Sequence, residues 1–550
     1  MSNKFNKWQP FIYGLILSVG LLLGIFLRPT TSTQTFMRGN NKFSELLNII
    51  NQSYVDTVNL EHLEEEAIND LLKGLDPHSV YIPSSELKLA NEQLEGNFEG
   101  IGVEFNIIED TIMVVSAING GPAQELGILP GDRIIKVDTL LVAGVGITSE
   151  KVFKLLRGEG GTKVNVTVFR PSSKDPIAYK ITRGTVPIFS IDAWRMINNE
   201  TGYIKISRFA ENTHDEFLKA FDELKRDNLK NLIIDLRGNP GGYLSTAIQL
   251  VDELLDERKL IVYTQGRSKP RAEYKAERPG VFEKGKLIVL IDEGSASASE
   301  IVSGAVQDWD RGMVIGRRSF GKGLVQEPYE LSDGSALRLT VSRYYTPSGR
   351  CIQKDYTDKE KYEHDIMDRY ENGELQSDLK SAIHDSTPYY TLRLKRTVFA
   401  GGGINPDYFV PIDTSFSSFY LTEVVSNALI GKFAYEYLDQ NRKAITAIPS
   451  LKIYIDAYQI NDAAFEQFIA FTKRNGIEVP TASDLSRSKE FIKLQLKALI
   501  ARQIWRDQGF YSVIQKQDKA ILLALKKLNE NQVLLNSGNL SFYSLLIFDI

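Results

Sequence analysis

Cysteine is almost missing from this chain of 550 residues, in which Cys351 is the only one. A single cysteine forms no intramolecular disulfide and excludes any metal site built from several thiolates. Charge of one sign is not in excess either, because the formal net charge is only −5. Proteins that bind nucleic acids usually carry a basic stripe, and none is indicated here. We therefore expect no metal, no cofactor and no nucleic-acid partner.

Common signatures of hydrolytic enzymes are lacking as well. The chain contains neither a G-x-S-x-G elbow nor an H-E-x-x-H zinc motif. Its histidines are scattered, and none accompanies a serine-rich turn: His62, His78, His214, His364 and His384. A Ser-His-Asp triad therefore has no natural candidate, and lysine is favoured over histidine as the base for a catalytic serine.

The N-terminus carries a long uncharged run. Lys4 and Lys7 precede the 17 residues Phe11–Leu27, which carry no charge and are followed by Arg28. This length just spans a bilayer as a helix, and positive charges before it favour a cytoplasmic N-terminus. We predict an uncleaved transmembrane anchor in residues 1–28, with the rest of the chain outside the cytoplasm. A cleaved signal peptide is the alternative.

The remainder divides into segments of different character, as the length and the hydrophobic fraction of 43% predict for a multidomain globular protein. Residues 40–95 have helical periodicity, and residues 96–184 have short strands between glycine-rich turns. Strands and helices alternate in residues 185–415, which predicts an α/β layer with a largely parallel sheet. Within them, the polar residues 353–400 predict an insertion or an exposed loop. Residues 416–550 are helical again.

A serine-rich turn joins a predicted buried strand to a predicted helix. The apolar strand Leu287–Ile291 leads through Gly294 into Ser295-Ala-Ser-Ala-Ser-Glu300. Such a junction presents a serine at a helix N-terminus, where free backbone N–H groups and the helix dipole stabilise an oxyanion. The alternative is structural, since Ser297 and Glu300 also have the spacing of a capping box.

A lysine between glycines follows, in Phe320-Gly-Lys-Gly323. Burial would lower its pKa and make it a general base, whereas a surface lysine in a turn is the alternative. The run Gly316–Lys322 also fits the first part of a P-loop, but Gly323 stands where that motif needs serine or threonine. A third stretch, Asp235–Gly242, predicts either a plain turn or a close approach of the backbone to a ligand.

Taken together, these residues resemble the carboxyl-terminal processing peptidases, or tail-specific proteases, a family of serine peptidases. The family's signature is a G-S-A-S-A-S-E turn, then F-G-K-G, with a glutamine four residues beyond the lysine. These motifs stand here as Gly294–Glu300, Phe320–Gly323 and Gln326. Further landmarks match on both sides: Leu75–Ser79, Gly100–Val103, Gly131-Asp132, Leu156–Gly158, Thr346–Arg350 and Gly403–Asp407.

The resemblance implies roles for individual residues. The family separates nucleophile and lysine by 25 residues, which here selects Ser297 over Ser295 and Ser299. Lys322 would deprotonate Ser297, and Gln326 would orient the lysine. The remaining implied residues are backbone donors of an oxyanion hole: Ala298 with Gly242 or Gly241.

The sequence patterns, together with the resemblance over residues 40–415, predict the fold class, a multidomain α/β (α+β) protein. Its parts would be the N-terminal membrane anchor, a helical segment (40–95), a PDZ domain (96–184), an α/β peptidase core with a ClpP/crotonase-like layer (185–415) and a helical C-terminal region (416–550). The PDZ residues expected to bind a free C-terminus are a carboxylate-binding loop and one sensing arginine: Gly100, Ile101, Gly102, Val103 and Arg157. A surface salt bridge is the alternative role for Arg157.

The implied function is that of a serine endopeptidase that cleaves proteins near their C-termini. Expected partners are protein substrates with free apolar C-termini, an activator or adaptor, and a second copy in a homodimer. The expected location is the bacterial inner membrane, with a single-pass anchor and the catalytic part on the periplasmic side. Two alternatives stay open: a catalytically inactive PDZ scaffold and a nucleotide binder of the P-loop type.

Overall fold

The structure, a computed structural model, describes residues 13–14, 18, 41–171, 173–377 and 387–530. By its internal contacts the chain divides into two units, Met1–Leu75 and Asp76–Ile550. Apart from residues 13, 14 and 18, the predicted anchor in residues 1–28 lies outside the described residues. No helix within the described ranges is long and apolar enough to cross a membrane.

In the first unit the described residues form two helices, α1 (Asn41–Ser53) and α2 (Leu60–Lys73). Asn59 caps α2, because its side-chain oxygen accepts a hydrogen bond from the amide of His62 at 3.3 Å. Such a cap satisfies one of the backbone donors that a helix leaves free at its start. Both helices agree with the periodicity of the sequence.

The second unit begins with a strand and a helix, β1 (Val80–Ile82) and α3 (Ser84–Glu95). Strand β1 pairs antiparallel with residues 336–338 of the large α/β domain. Strand pairing thus ties residues 80–82, which lie within the predicted helical segment 40–95, to that domain.

A small domain of antiparallel strands follows. Its elements are β2 (Asn97–Gly100), β3 (Val103–Ile108), β4 (Thr111–Ala117), α4 (Pro122–Glu125), β5 (Arg133–Val137), β6 (Leu140–Leu141), α5 (Ser149–Leu156), β7 (Lys163–Phe169), β8 (Ile177–Thr182) and β9 (Gly184–Pro187). One sheet has the order β3-β4-β5-β7-β8 with β6 beside β5, and β2 pairs with β9. Burial alternates along β7, so that Val164, Val166 and Val168 point into the core.

The large α/β domain comes next. Its elements are β10 (Ile191–Met196), β11 (Thr201–Ile206), α6 (Thr213–Arg226), β12 (Asn231–Asp235), α7 (Leu244–Asp252), β13 (Leu260–Gln265), β14 (Ala272–Lys275), β15 (Lys286–Ile291), α8 (Ala298–Asp308), β16 (Met313–Gly316), β17 (Leu324–Glu330), β18 (Ala336–Tyr345), α9 (Lys359–Glu371), β19 (Pro388–Tyr390), β20 (Thr397–Phe399) and β21 (Tyr408–Phe409). The main sheet has the order β10-β11-β12-β15-β16-β21 and is parallel from β11 onward. The predicted parallel sheet is confirmed. A second sheet has the order β1-β18-β13-β14, with β17 beside β18.

The parallel strands are buried on both faces, which explains their unbroken apolar sequences. In β15, Leu287 and Val289 belong to the core formed with α6, α7 and α8. Ile288 and Leu290 point to the opposite face, where they pack against the C-terminal helix Lys519–Asn529. The sheet therefore carries its loops, including the serine-rich turn, on a rigid layer.

The described parts of the predicted insertion or exposed loop, residues 353–377 and 387–400, contain helix α9 and the strands β19 and β20. Helix α9 buries Tyr362 and Arg369 against the segment that contains Lys322. Arg369 donates hydrogen bonds to the carbonyls of Arg318 at 2.6 Å and Ser319 at 3.3 Å. Because these contacts use long polar side chains, the polar sequence of this helix gives no local sign of them.

The last described residues form a helical region, which confirms the prediction for that part of the chain. Its elements are α10 (Phe419–Ser426), α11 (Leu429–Thr446), α12 (Leu451–Ala457), α13 (Asp462–Arg474), α14 (Ala482–Ile514), the 3₁₀ turn Gln515–Gln517 and α15 (Lys519–Asn529). Ile492, Leu496 and Ile500 of the predicted apolar stripe are fully buried on α14. The backbone of Trp505 and Arg506 is not helical, so α14 bends there.

This helical region contacts both other domains of the second unit. Gln508 exchanges two hydrogen bonds with the backbone of Trp194 on β10, at 2.9 Å and 2.5 Å. On the small domain, Arg502 forms an ion pair with Glu104 of β3 at 3.0 Å. The region therefore joins the small β domain to the large α/β domain.

Arg350 offers a test of how a buried charge stabilises the large domain. Its fully buried guanidinium pairs with Asp308 at 2.8 Å and donates to Gln307 at 2.7 Å. We expect Arg350→Ala to lower the free energy of unfolding by about 3–5 kcal/mol, because the Asp308 carboxylate would remain buried without its partner. Urea titration followed by fluorescence measures this change.

The matched control is Arg343→Ala, which removes an exposed arginine from β18. We expect this control to change the free energy of unfolding by no more than about 0.5 kcal/mol. A similarly small loss in Arg350→Ala would show that Asp308 does not depend on this guanidinium.

Candidate active site

The serine-rich turn lies at the carboxyl end of β15, where α8 begins. Ser295 and Ser299 are fully buried, and their hydroxyls donate to the carbonyls of Leu236 at 2.8 Å and Asn239 at 3.0 Å. Ser297 is only partly buried. Of the three serines, Ser297 is therefore the one that a substrate can reach, which agrees with the choice made from the family's spacing.

Ser297 also has an unusual backbone conformation, with φ 53° and ψ −112°. Residues with side chains rarely adopt such angles, which cost about 1–3 kcal/mol and concentrate at functional sites. The Ser297 amide donates to Oε2 of Glu300 at 2.8 Å, and the Tyr344 hydroxyl lies 3.0 Å from its carbonyl oxygen. Contacts on both sides of the residue thus maintain the strained conformation.

The carboxylate of Glu300 connects the serine turn to the lysine segment. It is fully buried and accepts four hydrogen bonds. Oε2 accepts from the amides of Ser297 at 2.8 Å and Lys322 at 2.9 Å. Oε1 accepts from the Ser319 hydroxyl at 2.5 Å and the Gly321 amide at 2.7 Å. Burial raises the pKa of Glu300 to about 7, although these hydrogen bonds oppose the rise.

Lys322 lies beside this carboxylate with a partly buried side chain. Burial lowers the pKa of its amine; the charges of Glu300 and Asp76 oppose this effect, and that of Arg338 adds to it. The Tyr344 hydroxyl also reaches the Lys322 carbonyl oxygen, at 2.6 Å, so it shares its proton between the serine turn and the lysine segment. The structure therefore brings the predicted nucleophile and base segments together and makes the lysine easier to deprotonate.

Gln326 has a different neighbour from the one that the resemblance implied. Its amide nitrogen donates to Oγ1 of Thr340 at 3.2 Å, and Thr340 donates to Asp76 at 3.0 Å. Within the described residues, no hydrogen bond joins Gln326 to Lys322. Gln326 is therefore the first of three side chains joined by hydrogen bonds, Gln326, Thr340 and Asp76.

The glycine-rich loop after β12 lies directly against Ser297. A Cβ atom on Gly241 would stand 2.7 Å from the Ser297 Cβ, so only glycine permits this approach. The Gly241 amide donates to Oδ1 of Asn239 at 2.8 Å. In the described part of the chain, the amides of Gly242 and Ala298 have no acceptor. Of the three predicted oxyanion donors, these are therefore the two whose N–H groups are not already bonded in the described residues.

The predicted peptide-binding residues lie where β2 passes into β3. Gly100–Val103 form this connection, and the carbonyl of Ile101 accepts from the Ala123 amide at 2.8 Å. Helix α5 lies beside β3, since Phe153 contacts Phe105 edge-on with ring centroids 5.4 Å apart. A strand and a helix placed in this way form the groove in which a PDZ domain adds a peptide as an extra strand.

Arg157, the predicted sensing residue, follows the end of α5. It forms an ion pair with Glu92 of α3, and its guanidinium lies 4.7 Å from the ring centroid of Phe98 and 5.0 Å from that of Phe153. Glu92 is 6% exposed, so this is not an ordinary surface salt bridge. In this structure Arg157 links the small domain to α3.

Known protein families match three parts of the chain. Peptidase family S41 matches residues 200–361, a PDZ domain matches residues 113–170, and a family of unknown function matches residues 420–507. The carboxy-terminal-processing protease of Bartonella bacilliformis is 35% identical over 348 residues, which are 62% of this chain and 79% of that protein. The chain belongs to peptidase family S41.

Other S41 relatives cover similar parts of the chain. The carboxy-terminal processing protease CtpB of Bacillus subtilis is 34% identical over 57% of this chain and 65% of that protein. Among solved structures, the photosystem II D1 C-terminal processing protease is 29% identical, covers 56% of this chain and 89% of that one, and has a TM-score of 0.32.

The resemblance found from the motifs is thus confirmed: the protein is a serine-type S41 peptidase with a PDZ domain. The P-loop interpretation is wrong, because strand β17 follows Lys322 where a P-loop requires a helix. Sequence reasoning missed Thr340 and Tyr344, which reach the site from β18 and carry no local pattern. Asn239 lay within the noted stretch Asp235–Gly242, but it was given no role. Asp76 lay within a noted family landmark, but nothing in the sequence placed it near the lysine.

Glu300→Gln tests whether one carboxylate holds the S41 site together. The substitution replaces an acceptor oxygen by an NH₂ group that would face hydrogen-bond donors. We expect a folded variant whose kcat/KM falls roughly 10²–10³-fold, because Ser297 and Lys322 lose their shared anchor. Cleavage of an unfolded protein substrate measures this loss, and circular dichroism confirms folding.

Glu327→Gln is the matched control, since Glu327 lies on β17 with its side chain 40% exposed and pairs with Lys269 at 2.9 Å. We expect it to keep the kcat/KM of the unmodified protein. Full activity in Glu300→Gln would show that the two segments keep their positions without this carboxylate.

Proposed function

We propose that this S41 peptidase cleaves proteins near their C-termini with Ser297 as nucleophile and Lys322 as general base. The observation that carries the proposal is the shared anchoring of the two backbones by Glu300 and Tyr344. A nucleophile and its base must come within hydrogen-bond reach of each other. Because the Ser297 and Lys322 amides bind the same carboxylate, only rotations of these two side chains are needed to bring the hydroxyl and the amine together. The names of the relatives, carboxy-terminal processing proteases, support the choice of cleavage position.

The catalytic cycle follows from these positions. The Ser297 hydroxyl attacks the scissile carbonyl carbon while Nζ of Lys322 takes its proton. The amides of Gly242 and Ala298 stabilise the resulting oxyanion at the N-terminus of α8. Lys322 then returns the proton to the leaving amine, and an ester to Ser297 remains. A water molecule, deprotonated by the same lysine, attacks the ester carbonyl carbon. The C–O bond to Ser297 then breaks, and Lys322 returns the proton to the Ser297 oxygen.

Gln326 is assigned the role of orienting the lysine. Its amide nitrogen donates to Thr340, which leaves the oxygen Oε1 as the acceptor that can bind the Lys322 amine. Catalytic hydrogen bonds are often long or unformed in a free enzyme and tighten when substrate binds. The Gln326–Lys322 contact is therefore expected in the substrate complex.

The PDZ domain is assigned to substrate selection. A peptide added beside β3 would place its carboxylate at the loop Gly100–Val103 and its apolar side chains near Phe105 and Phe153. Arg157 lies next to Phe153, so a ligand in this groove would compete with Glu92 for its guanidinium.

Location and partners stay proposals that rest on the sequence. The uncharged run Phe11–Leu27 between Lys7 and Arg28 supports an anchor in the inner membrane, with the peptidase on the periplasmic side. An activator or adaptor and a second copy of the chain are expected to use the helical region of residues 419–529. A catalytically inactive scaffold is the competing function, and the strained, partly buried Ser297 argues against it.

The dyad predicts a complete loss of cleavage in two variants. We expect Ser297→Ala and Lys322→Ala to lower kcat by at least roughly 10³-fold, since each removes one half of the proton transfer. kcat/KM should rise with pH, because only the neutral amine is a base, and its midpoint should lie below the ordinary pKa of lysine. Mass spectrometry of the cleavage products at a series of pH values measures both effects.

Ser303→Ala and Lys269→Ala serve as controls. Ser303 lies on α8 one turn after Ser299, to whose carbonyl its hydroxyl donates, while Lys269 is exposed. Cleavage that survives in Ser297→Ala would identify a different nucleophile. A rate that does not depend on pH would contradict a lysine base.

Recognition of the free C-terminus predicts a second loss. Amidation of the substrate's C-terminus removes the charged carboxylate, and hydrogen bonds to charged groups are worth about 1.5–3 kcal/mol. We therefore expect KM to rise roughly tenfold or more, whereas acetylation of the N-terminus leaves KM unchanged. Equal cleavage of the free and amidated substrates would show that the PDZ groove does not read the carboxylate.

A further inference from the structure

The turn Asp76–Ser79 is built around the Asp76 carboxylate. Oδ1 accepts from the amides of His78 at 2.8 Å and Ser79 at 2.9 Å, and Oδ2 accepts from the Ser79 hydroxyl at 2.6 Å. Aspartate often closes turns in this way, and the turn alone would explain the residue. Burial would raise the pKa of Asp76, but the hydrogen bonds outweigh it and keep the pKa below its ordinary value. The carboxylate is therefore ionised.

Asp76 has a further contact that the turn does not need. The Thr340 hydroxyl donates to Oδ1 of Asp76 at 3.0 Å and accepts from the Gln326 amide at 3.2 Å. The Ser79 hydroxyl in turn accepts from the Thr340 amide at 3.1 Å. Because the Thr340 hydroxyl donates its proton to Asp76, it can only accept from Gln326. The Gln326 nitrogen Nε2 therefore faces Thr340, and its oxygen Oε1 points away. Asp76 thus fixes the orientation of the residue assigned to hold the lysine.

The charge of Asp76 also acts on Lys322. The charged groups that face the lysine or its immediate neighbours are Glu300 from α8, Asp76 from the turn, Arg338 from β18, and Lys354. The neutral titratable groups are His78 from the turn and the phenols of Tyr344 and Tyr362, whose pKa values burial raises. Glu300 and Asp76 favour the ammonium form, and Arg338 opposes it. Burial and the cations lower the pKa of His78 to about 4, so its ring is neutral and adds no charge.

An aromatic contact from α9 holds the turn in place. Tyr362 is hydrogen-bonded to Nε2 of His78 at 2.7 Å, and its ring packs edge-on against Phe320 at 5.9 Å. The ammonium of Lys354 lies 4.0 Å from the centroid of Phe320 and 4.2 Å from that of Tyr362. The turn is therefore clamped between α9 and the segment that carries Lys322.

A second turn of the same kind shows what is particular to Asp76. Asp333 accepts from the Ser335 amide at 2.9 Å and from the Ser335 hydroxyl at 2.6 Å. It is exposed, and within the described residues its carboxylate has no link to Gln326 or Lys322. Closing a turn therefore requires neither the burial nor the Thr340 contact of Asp76.

We propose that Asp76 is a positioning residue of the S41 site, which orients Gln326 through Thr340 and tunes the charge state of Lys322. This inference rests on the proposed role of Lys322 as the base. It assigns a function to the family landmark Leu75–Ser79, which lies far from the catalytic motifs in sequence. Neither Asp76 nor Thr340 touches the substrate's reacting atoms.

The test compares three variants of the full-length protein. Asp76→Asn can keep the turn and the Thr340 contact but removes the charge. Thr340→Val keeps the charge and removes the hydroxyl between Asp76 and Gln326. Asp333→Asn is the matched control. Each variant is checked by circular dichroism, and kcat and KM are measured across pH with the unfolded protein substrate.

Asp76→Asn should shift the midpoint of the pH dependence of kcat/KM to lower pH, because a charge that favours the ammonium is gone. Thr340→Val should lower kcat roughly tenfold without moving the midpoint, since it disturbs orientation alone. KM should stay within about twofold in both variants, and Asp333→Asn should match the unmodified protein.

An unmoved midpoint in Asp76→Asn, together with an unchanged kcat in Thr340→Val, would overturn the proposal. A uniform loss at every pH in Asp76→Asn would reduce its role to closing the turn. Parallel measurements on Ser297→Ala and Lys322→Ala separate this failure from that of the proposed function. Activity in either of those variants refutes the dyad itself, whereas their inactivity leaves the dyad intact, so that the results for Asp76 and Thr340 bear on the positioning role alone.

Discussion

One buried carboxylate, that of Glu300, determines how the rest of the active site is arranged. The loops after β15 and β16 leave neighbouring parallel strands, and a backbone hydrogen bond from the Phe320 amide to the Ser295 carbonyl, at 3.0 Å, joins them just before Ser297 and Lys322. Burying a charged group is unfavourable unless its hydrogen bonds are satisfied, and four donors satisfy this one. Because both Ser297 and Lys322 donate to the same oxygen, any shift of one segment strains the other.

The protonated form of Glu300 favours the stability of the fold, whereas the ionised form is the one that organises the site. Its pKa of about 7 in the folded state lies above its ordinary value, so the folded protein binds this proton more tightly than the unfolded chain does. Glu300 therefore contributes stability at pH below about 4.5 that is lost as the pH rises through 7. The ionised form, however, is the one that accepts all four hydrogen bonds. Near neutral pH the ionised Glu300 no longer adds to the stability of the fold, so packing of the surrounding residues must hold the site together.

Local patterns predicted much of this protein, and long-range pairing explains what they missed. Periodicity predicted the parallel strands and α8, and motif spacing selected Ser297. The capping-box spacing of Glu300 was visible, but its contact with Lys322 depends on burial and tertiary packing. Asp76 meets Thr340 across 264 residues of sequence, because β1 pairs with β18. No local pattern encodes such a pairing. The sequence of α9 is polar, so it also gave no sign that Tyr362 and Arg369 are buried against the lysine segment.

The two interfaces of the helical region differ in chemical character, since one is apolar and the other is polar. Against the main sheet, α15 buries Ile521 and Leu528, and each fully buried side chain of this size is worth about 1.5–3 kcal/mol. Against the small domain, Arg502 and Glu104 are both about a third exposed or more, and such pairs contribute about 0–1 kcal/mol. The helical region is therefore part of the peptidase body. On the PDZ domain its contacts are polar, and they also include Arg506, which donates to the Ala117 carbonyl at 2.6 Å, so this interface relies on hydrogen bonds and ion pairs rather than on apolar burial.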